Sequence, residues 1–203
     1  MPAALLALTL TVAASPPRVR VQASELVAPC VRAAAAAWAP SAVVVEEGPL
    51  SMPDRDLYVG AAVELTRALE SGVAEIDTDA DLARIPWVVE DVSGTGVGLR
   101  AVGSSGRTLT VPAAAGAYEA RRAAQAAGVR GIREAGGSAL RDAPLRLVPL
   151  SLARSGSPAR AEDVPPLVAR AAAGGAAPAR ARDFLAFLTS EEGRAAFAEC
   201  RPR

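Results

Sequence analysis

Catalysis by side chains needs groups that can be brought together, and this chain is short of them. Histidine is absent from its 203 residues. That removes the commonest general base and metal ligand, and with it Ser-His-Asp, Cys-His and His-rich zinc arrangements. Ser24, Ser51 and Ser155 have no recognisable base partner, so none reads as a hydrolase nucleophile. The two cysteines, Cys30 and Cys200, are too few and too far apart for a Cys-rich metal site. The run Asp77-Thr-Asp-Ala-Asp81 alternates acids like a calcium loop, yet it lacks the downstream Gly and bidentate Glu of an EF-hand. It reads as a solvated loop beside a helix cap. No enzyme, cofactor or metal site is expected.

One glycine motif invites a nucleotide reading. Gly96-x-Gly98-x-x-Ala101 follows a strand, as a dinucleotide fingerprint does. That reading needs a helix to begin there, and Gly103, Ser104, Ser105 and Gly106 are expected to forbid one, leaving a hinge or hairpin loop. Bulk charge gives no nucleic-acid footprint either: 22 basic residues, all arginine, balance 22 acidic ones. Apolar residues make up 51% of the chain but aromatics only 3%, and alanine supplies much of the apolar share, so periodicity says less than usual about which faces are buried.

The elements that must position these residues alternate. Val19 to Ala23 reads as a strand and Ser24 to Trp38 as a helix with Ser24 at its N-cap and Leu26, Cys30, Ala34 and Ala37 on one face. Pro29 is awkward inside such a helix. Val43 to Val45 and Asp56 to Gly60 are further strands, and Val63 to Gly72 is a helix stopped by its glycine. Ile85 to Val92 reads as one strand, Thr108 to Val111 as another, Pro112 to Ala127 as an alanine-rich helix, and Leu145 to Val148 and Leu167 to Ala171 as late strands. Strand–helix alternation implies an α/β fold with parallel sheets. The chain ends in two short helices. Ala181, Phe184, Leu185 and Leu188 form one apolar stripe, Thr189 and Glu192 have capping-box spacing, and Gly193, Ala196, Phe197 and Cys200 line the buried side of the second. Residues 1–15 carry an apolar run of signal-peptide length, too short to span a bilayer, followed by small residues suited to cleavage, and imply export.

The ordered set of segments resembles a known family. Asp183-Phe-Leu-Ala-Phe-Leu-Thr-Ser-Glu-Glu-Gly-Arg-Ala-Ala-Phe197 looks like the closing helices of periplasmic solute-binding proteins of the molybdate-binding type. Val21-Gln-Ala-Ser-Glu-Leu26, Asp56-Leu-Tyr-Val-Gly-Ala-Ala62, Ile85-Pro-Trp-Val-Val89, Leu109-Thr-Val-Pro-Ala-Ala114 with Gly116 and Tyr118, Leu147-Val-Pro149 and Leu167-Val-Ala169 resemble further family segments in the right order. The resemblance implies a two-lobed type II periplasmic-binding-protein fold with three-layer αβα lobes and mostly parallel sheets. Lobe one is expected at 19–86 plus 174–203 and lobe two at 87–173. It also implies a monomer that captures a small molecule or an oxyanion such as molybdate between its lobes and delivers it to an ABC permease, with no nucleic acid involved. Helix N-termini would supply the donors for the anion, with no metal required.

Carried over residue by residue, the ligand set is Ser24, Glu25, Ser51, Ala113 and Tyr118. Ser24 falls on the first serine of the family's pair, and Glu25 replaces the second. A carboxylate there either repels an anion from the helix terminus or complements the helix dipole at an empty site. Ser51 is what remains of a second ligand element, Ala113 matches a backbone donor, and Tyr118 follows it. A second-lobe helix after Gly136 is expected to be shortened or absent. These departures keep open an alternative, a degenerate relative that serves as an interaction or sensory module without oxyanion binding. Cys30 and Cys200, on helices of the same expected lobe, are either two buried small hydrophobes or a disulfide between the first and last helices.

Overall fold

The computed structural model describes residues 18–200 except 95, 156, 158, 176 and 199; the expected signal segment at 1–15 and the last residues of expected lobe one, 201–203, lie outside the described residues. Short runs of β-branched and apolar residues pair into two five-stranded sheets. The first joins β1 (Val19–Ala23), β2 (Val43–Glu47), β3 (Leu57–Ala61), β4 (Ala80–Ile85) and β10 (Leu167–Ala173) in the order β2-β1-β3-β10-β4. The second joins β5 (Trp87–Asp91), β6 (Leu109–Pro112), β7 (Ile132–Ala135), β8 (Leu145–Pro149) and β9 (Ala159–Ala161) in the order β7-β6-β8-β5-β9. In each sheet four strands share a direction and one inner strand, β10 or β5, runs against them. The sheets are therefore mixed, with the parallel direction in the majority.

Each sheet is covered on both faces. On the first, α1 (Ala28–Trp38), α6 (Ala179–Thr189) and α7 (Glu191–Ala198) pack together on one side, where Phe184, Leu188 and Phe197 are fully buried. Trp38 and Phe184 meet there with ring centroids 5.0 Å apart. On the other side α2 (Ala62–Glu70) lays Leu65 and Ala68 over Tyr58 and Ala172. On the second sheet, α3 (Leu99–Ser105) and α4 (Tyr118–Ala126) bury Leu99, Val102, Ala120 and Ala124, and α5 (Gly137–Arg141) buries Leu140 against Val88 and Val148 on the opposite face. The result is two αβα lobes.

The chain crosses between lobes twice. Ile85 to Val92 is not one strand: Pro86, with no N–H for a ladder, separates β4 in the first sheet from β5 in the second. The return lies between β9 and β10. Because β10 pairs with β3 and β4, residues 167–173 belong to the first sheet, seven residues earlier than the boundary expected at Gly174.

Several local expectations are corrected. The first helix starts at Ala28, not after Ser24; residues 24–27 form a turn in which the Ser24 carbonyl accepts from Val27 and Ala28, and no side chain caps the helix. Pro29 then occupies the first helical turn, where no N–H is required. Ala37 is exposed, and Val31 and Ala35 share the buried face with Cys30 and Ala34. A helix does form over Leu99–Ser105, closed by Gly106 in the left-handed region, so Gly103 and its neighbours do not forbid it. The helix expected from Pro112 begins as a 3-10 turn at Ala115–Ala117 and becomes α-helical only at Tyr118. Ser190, not Thr189, caps α7: its Oγ accepts from the Gly193 N–H at 3.1 Å, whereas the Thr189 hydroxyl donates back into α6. The acidic run is structural, since Asp79 and Asp81 flank Arg170 of β10 at 2.6 and 2.7 Å.

Cys30 of α1 and Cys200, just beyond α7, are joined as a disulfide, with α-carbons 4.7 Å apart and a sequence separation of 170. The bond fastens the last helix to the first on one face of the first sheet.

Candidate functional site

In open α/β sheets, ligands sit beyond the carboxyl ends of the strands. Here those ends face each other across the interlobe cleft. The turn after β1 brings Ser24 and Glu25, the loop after β2 brings Gly48 to Ser51, and the helix after β3 brings Glu64 and Arg67; from the second lobe come Ala114 and Ala115 after β6, and Gly136 and Gly137 after β7.

Among the described residues, three contacts between the lobes border the cleft. The Glu25 carboxylate reaches across and accepts, through Oε1, the N–H of Gly137 at 2.7 Å. Gly137 stands at the first turn of α5 with φ +55°, a conformation that other L residues rarely adopt, and this aims its N–H at the cleft. Next, the buried Ser151 hydroxyl donates to the Leu26 carbonyl at 2.7 Å. Finally, Gly116 abuts lobe one so closely that a Cβ there would lie 2.6 Å from the Ala61 Cβ and 2.8 Å from Leu26 Cδ1.

Glu25 divides the cleft. On one side is a cavity of about 600 Å³ that includes Ser24, Glu25, Leu50, Glu64, Arg67 and Ala115 in its lining. Its walls are largely apolar. Ser24 is 5% exposed and its Oγ has no hydrogen-bond partner among the described residues. The Arg67 guanidinium makes no ion pair among the described residues. Glu64 Oε2 accepts from the Ala61 N–H at 3.0 Å. On the other side of Glu25 is a cavity of about 550 Å³, lined among others by Arg32, Glu47, Arg141, Arg146 and Arg154. Its guanidiniums are mostly committed. Arg32 pairs with Glu47 at 2.9 Å, and Arg146 is buried on Glu90 at 2.5 Å while also donating to the Leu152 carbonyl. Burial pushes the Arg146 pKa down from the ordinary arginine value, and Glu90 opposes that shift. Arg154 donates to the Arg141 carbonyl.

Of the residues expected to bind ligand, Ser24, Glu25 and Ser51 share the larger cavity. Ala113 does not fit its expected role as a donor, because its N–H is taken by the Ala135 carbonyl at 2.9 Å, extending the β6–β7 pairing by one residue. Tyr118 lies outside that cavity. It is 56% exposed, lies under the Arg122 guanidinium, and lines an adjoining cavity of about 400 Å³ that also touches Arg67 and Ala115. The sequence reading missed Glu64 and Arg67. Their signal was available: an acid and a base three residues apart, on a helix that opens directly beyond a central strand, fall at the ligand end of an α/β sheet.

The dinucleotide reading fails on topology even though its helix forms. β5 runs antiparallel to β8 while β6 runs parallel to it, so β5-α3-β6 is no parallel crossover. Gly98 at the start of α3 is covered by the side chains of Arg160 and Glu162. Among the described residues no group of three or more His, Cys, Asp or Glu could hold a metal ion, and no helix is long and apolar enough to cross a membrane.

No protein-family model matches this sequence, and neither does any curated protein. Solved structures do match its shape. The periplasmic molybdate-binding protein of Azotobacter vinelandii is 15% identical with a TM-score of 0.74, over 92% of this chain and 100% of that one. Peb3 from Campylobacter jejuni is 17% identical with a TM-score of 0.70, over 91% and 100%. The tungstate ABC transporter protein from Geobacter sulfurreducens is 13% identical with a TM-score of 0.63, over 90% and 98%. The fold is that of two-lobed periplasmic binding proteins. At these identities the likeness is one of fold.

Proposed function

We propose that this chain is a non-enzymatic solute-binding protein that captures a small charged molecule between its lobes. The observation that carries the reading is the cleft itself: strand ends of both lobes converge on a cavity of about 600 Å³, within the range of small-molecule sites, that holds a guanidinium and a buried hydroxyl neither of which has a side-chain partner among the described residues. The shape neighbours support it, since two of the three are described as molybdate-binding or tungstate-transporting. On this reading the protein is exported, acts as a monomer, and presents its ligand-closed form to an ABC permease.

An oxyanion such as molybdate is the ligand implied by the family resemblance. Ser24 and Ser51 support it, while the committed N–H of Ala113 and the displaced Tyr118 weigh against it. Titration calorimetry of the mature chain with molybdate, tungstate, sulfate, phosphate, small carboxylates and amino acids tests the general reading. Saturable heat with a member of any class is expected, and silence across all classes rejects it.

A second reading is favoured by one contact. The Glu25 carboxylate already bridges the lobes at Gly137, as an internal substitute for a ligand, which suits a scaffold kept closed as an interaction or sensory module. Oxyanion affinity appearing in Glu25→Ser and absent from the parent would mark a site closed by its own side chain.

A further inference from the structure

We infer that the cavity beside Glu25 takes a zwitterion of the amino-acid class, with the ligand carboxylate on Arg67 and Ser24 and its ammonium on Glu25 and Glu64. The inference rests on the solute-binding reading and adds the chemistry of the solute.

Charge decides between ligand classes. The lining carries two carboxylates and one guanidinium. A divalent oxyanion would meet net repulsion there, and so would a simple carboxylate. An ammonium on the same molecule turns both acids from opponents into partners. The acids have capacity for it: Glu25 commits Oε1 to Gly137 and Glu64 commits Oε2 to Ala61, and neither second oxygen has a hydrogen bond among the described residues.

The opposite pole is also present. The Arg67 guanidinium has no ion pair or hydrogen bond among the described residues, although Glu64 is three residues away on the same helix. Its position in the last turn of α2 complements the helix dipole, but that accounts for its charge and not for its place on the cavity wall. Ser24 is the second, independent mark of a ligand. Its Oγ is buried without a partner, a state that folded proteins avoid unless something arrives to satisfy it. The same wall also carries Leu50, Ala68 and Ala114, suited to an aliphatic side chain. The volume of about 600 Å³ far exceeds what four oxygens around one metal atom fill, and it accommodates such a molecule with water.

The test is calorimetry on the mature chain with neutral L-amino acids led by L-leucine, the deaminated analogue 4-methylpentanoate, the decarboxylated analogue 3-methylbutylamine, and phosphate and molybdate. An amino acid is expected to bind, with each one-charge analogue weaker by about tenfold or more, the scale of one lost charged hydrogen bond. Arg67→Gln is expected to weaken the amino acid by a similar factor while leaving the amine unchanged and the ligand-free melting temperature within a few degrees, as a surface change does. If 4-methylpentanoate binds as tightly as leucine, the ammonium pole does not exist and the inference falls. If only phosphate or molybdate binds, the inference falls and the solute-binding reading stands. If no compound of any class binds, both fall together.

Discussion

Removing the Glu25 carboxylate deletes a hydrogen bond between lobes without opening either hydrophobic core. Glu25→Ala is therefore expected to shift the open–closed balance toward open by about 1.5–3 kcal/mol, the range for a bond to a charged group. Small-angle scattering should show a larger radius of gyration, and hydrogen exchange should quicken at Gly137; unchanged values of both would mean the contact holds nothing. Gly116→Val attacks the same closure from the other lobe. Its side chain would have to displace Ala61 and Leu26, so the variant is expected to stay folded and scatter as an open form. The buried pair Glu90–Arg146 belongs to folding. Arg146→Ala leaves the Glu90 carboxylate of β5 buried beside β8 and is expected to cost about 3–5 kcal/mol, whereas the double variant Glu90→Gln/Arg146→Met should recover much of that in denaturant titrations. Single residues were unevenly legible. Ser24 and Glu25 could be placed at the cleft because they follow a recognisable strand directly. Ala113 could not, because whether a backbone N–H is free depends on how far β7 extends beside β6, and nothing in the local sequence encodes that.

At the scale of elements, the strands with β-branched runs and the closing helices could be read directly, since each has a clear apolar period. Several could not, and three of them show why. β4 carries Asp81 and Arg84 and alternates too weakly to read as a strand, yet it is held there by β10 and by the Arg170–Asp81 contact. α3 is built from glycine and serine in its second half, and tertiary packing overrides their poor propensity: Gly103 sits so close to the Ala127 carbonyl that a Cβ would overlap it. Gly103→Ala, a helix-favouring change by propensity, is for that reason expected to destabilise by about 1–3 kcal/mol in thermal or chemical unfolding. A stabilising outcome would show that α3 and α4 can separate cheaply. The first helix was read one turn too early because Ser24 has the chemistry of an N-cap, but its residue begins a turn in which the backbone carbonyl, not the side chain, accepts the bonds.

For the whole molecule, the alternation of strands and helices was enough for an α/β fold, whereas Pro86 was read inside one strand and is what separates β4 from β5. The return crossing was misplaced because Leu167 to Ala173 is apolar enough for either sheet, and only pairing with β3 and β4 decides. Stability at this scale depends on the Cys30–Cys200 bond. A loop of 170 residues gives an entropic contribution of about 5 kcal/mol in the chain-entropy model. Cys200→Ala is therefore expected to lower the melting temperature by roughly 10 °C or more. Thiol titration of denatured, unreduced protein should find no free cysteine, and two reactive thiols would refute the bond.

That bond also determines how the molecule carries load. Everything between Cys30 and Cys200, including the entire second lobe, lies inside a covalent ring. Tension applied at the two chain ends enters at one sulfur and leaves at the other, so the ring carries none of it, but β1, Ser24 and Glu25 precede Cys30 and lie in the loaded segment. Pulled in an optical trap, the oxidised protein should pay out only its terminal segments. After reduction, 170 further residues become extensible, a gain in contour length on the order of 600 Å. The bond thus shields the second lobe and the rest of the ring from load, while the strand that leads into Glu25, and with it the contact that joins the lobes, stays exposed to a pull on the N-terminal side.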